Sequence, residues 1–131
     1  MRQARRMNIG AATLLLAIVA GCAHNKKNDE PYEPPPPITV LVKNENYLDM
    51  DIRLSTNGYS RRLGTVVGNS SGKFTVAWSV VATSPVELIG DPIGGGRALT
   101  FPGVSPSPGQ VVEFRIMPLL SQSTVTVHDP Y

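Results

Sequence analysis

A chain of 131 residues with 41% hydrophobic content has room for one domain with a modest core. The formal charge of +2 comes from Arg2, Arg5 and Arg6 at the start; from Cys22 onward nine Lys and Arg stand against ten Asp and Glu, a balance that excludes a nucleic-acid binder, which needs a basic face. Cys22 is the only cysteine, so no disulfide forms within the chain and stability must come from packing.

Met1 to Met7 carries the three arginines, and Ile9 to Ala20 is uncharged and rich in Leu, Ile, Val and Ala. A basic stretch followed by a short apolar one is the layout of an export signal. The apolar run is 12 residues, against about 20 for a membrane-spanning helix, and polar His24, Asn25, Lys26 and Lys27 follow closely. The run ends in Val19-Ala20-Gly21-Cys22, which resembles the lipobox of bacterial lipoproteins. That resemblance implies recognition of Val19, Ala20 and Gly21 by a signal peptidase and cleavage before Cys22. It also implies a diacylglycerol on the Cys22 sulfur and a further acyl chain, such as palmitate, on the new amine. An ordinary signal peptide cut after Ala20 or Ala23 is the competing reading. Two or three acyl chains suffice to hold a protein on a membrane, each buried methylene contributing about 0.8 kcal/mol. Ala23 is not acidic, which by the family's sorting rule places the product in the outer membrane of a host with two membranes.

From Ala23 to Pro37 the chain has no apolar periodicity and five prolines, so it is expected to be a disordered to polyproline-like tether. Fully extended, it reaches roughly 45 Å. The expected organisation is a cleaved signal at 1–21, lipidated Cys22 and tether at 22–37, and a folded domain at 38–131.

Beyond Pro37 apolar residues recur at every second position, the pattern of half-buried strands. Ile38, Val40 and Val42 form one such run; Met50, Ile52 and Leu54 form another; Phe74, Val76 and Trp78 a third. Val86 and Leu88, then Val112, Phe114 and Ile116, then Val125 and Val127 continue the series, with weaker candidates at Arg61 to Val67 and Arg97 to Phe101. Turn chemistry separates them at Asn44 to Asn46, Thr56-Asn57-Gly58, Gly68 to Gly72, Asp91 to Gly96 and Pro102 to Gly109. Seven or eight short strands predict an all-β domain, a small antiparallel sandwich of immunoglobulin-like or similar kind. The motifs N-E-N-Y-L-D-M-D-I-R-L, R-R-L-G-T-V, D-P-I-G-G-G and S-P-G-Q-V-V-E-F resemble a group of small bacterial lipoproteins with a single β-sandwich domain. This resemblance implies the fold and no particular activity.

Candidates for chemistry are sparse. Two histidines, His24 and His128, and one lipid-bearing cysteine make no zinc set, and His128 is expected to be a solvated chain end. Asp49 and Asp51 share a strand face and are the closest carboxylate pair of the expected folded domain, better explained as a solvent face than as hydrolase residues. Asp91 with Gly94, Gly95 and Gly96 lacks the helix and the Lys that a phosphate loop requires, and is expected to be a hairpin loop. Arg61 and Arg62, near Tyr59, are candidate partner or ligand contacts, or charges guarding an edge strand. The expectation is a non-enzymatic interaction or structural module of the cell envelope, without cofactor or metal, using loops at one end of the sandwich. The alternative is a small-ligand or glycan binder using Arg61, Arg62, Asp91 and Gly94 to Gly96, which requires a concave pocket beside them.

Overall fold

Ile38, Val40 and Val42 are fully buried and form one face of the first strand, β1 (Ile38–Asn44). The computed structural model describes residues 30–131; the signal segment, Val19 to Cys22 and tether residues 23–29 lie outside the described residues. β2 (Met50–Thr56), β3 (Tyr59–Val66) and β4 (Ser70–Val76) follow, then a one-turn helix, α1 (Trp78–Val81). β5 (Val86–Pro92), β6 (Leu99–Val104), β7 (Val111–Ile116), a single 3-10 turn at Leu120–Gln122 and β8 (Thr124–His128) complete the domain.

The eight strands make two four-stranded sheets, ordered β4-β1-β7-β8 and β3-β2-β5-β6, packed as a β-sandwich. All neighbours are antiparallel except β1 and β7, which run parallel with Val40 opposite Val112 and Val42 opposite Phe114. This pair departs from the purely antiparallel expectation, because alternation reports which face a residue takes and not which way its neighbour runs.

Inward rows of the two sheets form the core. Val112, Phe114 and Ile116 on β7 join the β1 row, and face Met50, Ile52 and Leu54 on β2 with Val86 and Leu88 on β5. Phe101 and Phe114 meet edge to face, centroids 5.6 Å apart. Gly90 sits under them: a Cβ there would lie 3.3 Å from Phe114 Cζ and Ile116 Cδ1, so this inward β5 position must stay small.

Three local expectations are corrected. The run Phe74, Val76, Trp78 is not one strand: Val76 pairs with Ile38, the first residue of β1, and beyond it the ladder has no partner. The chain turns at Ala77 and Trp78 opens α1, partly buried against the core. Arg61 to Val67 becomes Tyr59–Val66, with a bulge where Ile52 faces Gly64 but Arg53 faces Arg62. Arg97 to Phe101 becomes Leu99–Val104, its own bulge falling at Pro102 and Gly103. The end of the tether is bonded to the domain as well: Gly109 N–H donates to the Pro36 carbonyl at 3.2 Å, so the ordered contacts begin before Ile38.

Candidate functional site

Strand register gathers four connections at one pole of the sandwich. Asn44 at the end of β1 lies opposite Ser70 at the start of β4 and Ile116 at the end of β7. Met50 at the start of β2 lies opposite Val66 and Pro92, the ends of β3 and β5. The β1–β2, β3–β4, β5–β6 and β7–β8 connections therefore share this pole. Pro36 and the start of β1 lie at the other, with the β2–β3 hairpin and α1.

Two asparagines join the four connections. Asn44 and Asn46, expected as turn residues, are 1% and 3% exposed. Asn44 Nδ2 donates to the carbonyls of Leu48, Val66 and Val67 at 2.8, 3.1 and 3.2 Å, while its Oδ1 accepts from Asn46 N–H at 3.1 Å. Asn46 Nδ2 donates to Met117 and Pro118 carbonyls at 3.3 and 3.0 Å, and its Oδ1 accepts from Leu48 N–H at 3.0 Å. The backbone adds Asn69 N–H to Asn46 O and Ile93 N–H to Asp49 O, both at 2.9 Å. The β1–β2 connection thus bonds directly to each of the other three. Burial makes this geometry demanding, since a buried polar group left unpaired costs about 1–3 kcal/mol.

Each connection also exposes one large apolar side chain: Tyr47 at 76%, Val67 at 59%, Ile93 at 49% and Leu119 at 58%. Single exposed apolar residues are ordinary; one on each of four mutually bonded loops is a pattern suited to contact. Close packing holds it, for Gly68 lies against the β1–β2 chain and a Cβ there would fall 2.3 Å from Tyr47 O. Gly94, Gly95 and Gly96, with φ of +97, +115 and +128°, carry the exposed β5–β6 loop away from Ile93 through backbone that favours glycine. None of Asn44, Asn46, Tyr47, Val67 and Leu119 is a candidate from sequence; the sole signal is N-x-N at a strand end.

The residues singled out from sequence scatter. Arg61 lies opposite Leu54 and Arg62 opposite Arg53, so the two arginines take opposite faces of edge strand β3. Arg62 Nε bonds Asp51 Oδ1 at 2.7 Å, and Thr65 Oγ1 donates to the same oxygen at 3.1 Å. Arg53 Nη2 lies 3.7 Å from Asp51 Oδ2, and Asp91 is opposite Asp51 on β5. Arg62, Asp51 and Asp91 therefore share the outer face of one sheet, while Gly94 to Gly96 belong to the pole. Asp49 Oδ1 accepts from Gly68 N–H at 2.9 Å, which gives that carboxylate a place in the loop cluster.

On the outer face of the other sheet, Lys43 Nζ is 2.9 Å from Glu113 Oε1 and His128 Nε2 is 3.7 Å from Glu113 Oε2. The Lys43 hydrogen bond holds the Glu113 carboxyl below the usual carboxylate range, His128 adding a smaller pull, against the opposing effect of partial burial. His128 is not a fully solvated end: its Nδ1 donates to Asp129 O at 2.8 Å and its ring lies 4.9 Å from that of Tyr131.

Shallow depressions of about 250 to 390 Å³ are lined by other residues. One lies at the pole between Lys43, Glu45 and Asn69 to Ser71, another between Arg97 to Thr100 and Leu120. A third of about 340 Å³ lies between Leu41, Val111, Pro130 and Tyr131. Arg61, Arg62, Asp91 and Gly94 to Gly96 line none of these. Among the described residues, no group of three or more His, Cys, Asp or Glu is gathered to hold a metal, and no helix is long and apolar enough to cross a membrane.

No protein-family model and no curated protein matches this chain. Among solved structures, an NMR structure of a protein from Eubacterium rectale is similar to it at TM-score 0.45 and 14% identity, over 72% of this chain and 90% of that one.

Proposed function

We propose that this chain is a lipid-anchored protein of a bacterial cell envelope, held by lipid on Cys22, and that it acts without catalysis by presenting the four-loop pole to a protein partner. The anchoring half rests on Val19-Ala20-Gly21-Cys22 following a basic and then an apolar stretch. The contact half is carried by one observation: four exposed apolar side chains, one per loop, on connections joined through buried Asn44 and Asn46. A rigid array of apolar anchors is inexpensive to bind, since little loop entropy is lost on association. The tether joins the domain at the opposite pole, where Pro36 is bonded to Gly109, so the array sits at the end far from that junction. In a host with two membranes, Ala23 after the anchor points to the outer one.

Each half has its own test. Cys22→Ser is expected to abolish lipid labelling and leave uncleaved precursor; labelled, correctly processed protein refutes the anchor. For the pole, a photo-crosslinking side chain at Tyr47 is expected to capture one defined envelope partner in cells. The same probe at Tyr59, 81% exposed at the opposite pole, is expected to miss it. Equal capture from both positions, or capture from neither, overturns the contact assignment.

A further inference from the structure

The outermost strands of the two sheets are β3, β4, β6 and β8, and three of them carry features that discourage another strand from adding. β3 has Arg61, Arg62 and a bulge; β4 has Gly72 and exposed Lys73; β6 has Pro102 and Gly103 at its bulge. β8 has none of these. Its sequence, Thr-Val-Thr-Val-His, contains no Lys, Arg, Asp, Glu, Gly or Pro, and its ladder to β7 is regular from Thr124 to His128. The chain that follows does not cover the edge, because Pro130 and Tyr131 line the depression with Thr39, Leu41 and Lys73 on the outer face of the sheet.

The inner face of β8 is also incompletely covered. Val125 and Val127 lie opposite Phe114 and Val112 and so take the core-facing side, yet Val127 is 39% exposed. An occupant of this edge must supply free backbone N–H and C=O groups and an apolar residue beside Val127. The tether fails the first condition, four of its last residues being prolines.

We propose that β8 pairs antiparallel with β8 of a second copy of this chain, with Thr126 on the two-fold axis. In that register Thr126 faces Thr126, Val125 faces Val127 twice and Thr124 faces His128 twice. Inward residues meet inward residues, the exposed Val127 gains an apolar neighbour, and no like-charged carboxylates or lysines are opposed. A two-fold contact uses the same patch from both copies, which a self-complementary strand satisfies without further adaptation. The two sheets join into one of eight strands. The pairing uses neither the lipid anchor nor the four-loop pole.

The test is covalent trapping in the purified mature protein, which suits so short an interface. Thr126→Cys brings two sulfurs to the axis, where paired Cα atoms lie about 4.5–5.5 Å apart and a disulfide fits. Mild oxidation is expected to yield a linked dimer whose peptide map shows the two copies joined through the introduced thiols, β8 peptide to β8 peptide. Thr124→Cys is the register control, its two copies falling roughly 13 Å apart, beyond disulfide reach. Adding Val127→Lys to Thr126→Cys, with circular dichroism confirming an unchanged fold, is expected to cut the trapped fraction at least tenfold. Monomer from Thr126→Cys, or equal linking through position 124, overturns the proposal.

Discussion

Asn44 and Asn46 face each other across a single residue, the side-chain oxygen of the first accepting the backbone N–H of the second at 3.1 Å. From that contact the amide of one reaches Val66 and Val67 and the amide of the other reaches Met117 and Pro118, so one short loop ties both sheets at the pole. Each asparagine is used as donor and as acceptor, which neither an aspartate nor a leucine reproduces.

Asn44→Leu is therefore expected to lower stability by about 2–4 kcal/mol, since carbonyls at Leu48, Val66 and Val67 lose their donor in a buried setting. Urea unfolding read by circular dichroism checks this. A loss under ~0.5 kcal/mol would show that water replaces the amide.

Gly68→Ala tests the close approach of two connections. The added methyl would meet backbone at Tyr47 O, 2.3 Å away, so the loops must part at a cost of about 1–3 kcal/mol. The local signature is faster amide exchange at Asn69, whose N–H bonds Asn46 O. Unchanged exchange there contradicts the packing described.

Arg62→Ala should matter far less than its 2.7 Å contact with Asp51 suggests. The Arg62 side chain is 57% exposed, and a surface pair of this kind contributes at most about 1 kcal/mol and is screened by salt. Thermal melts at low salt and at molar salt should show a small difference from wild type that disappears in the second.

Acid should weaken the outer face of the first sheet through Glu113. Its carboxyl is held below its unfolded value of 4.5, chiefly by Lys43, so the stabilisation is complete above that pH and is lost as pH falls through the lowered folded value. Urea midpoints of wild type and Glu113→Gln should differ at pH 6 and converge towards pH 3. Parallel curves across that range would remove the linkage.

Strand positions were legible because period two is direct: every alternating apolar residue named on β1, β2, β5 and β7 is buried, although the inward rows run further, to Asn44 on β1 and to Gly90 and Pro92 on β5. Where a strand stops was less so, since Trp78 keeps the rhythm of Phe74 and Val76 after the ladder to β1 has ended. The pole was hidden for a related reason. Val67 reads as one more strand residue, and Asn44-Glu45-Asn46 reads as turn chemistry, although both asparagines are among the most buried polar residues described. Arg61 and Arg62 look like a unit in one dimension, yet strand alternation places them on opposite sides of the sheet.

The parallel partnership of β1 with β7 has a consequence for the order in which the domain is assembled. β1 is the first strand to emerge in synthesis, but one of its two neighbours is complete only at Ile116. Closing so long a loop comes late in folding. An incomplete chain lacks that flank of its sheet, and the sandwich can shut only when nearly all of the polypeptide is present.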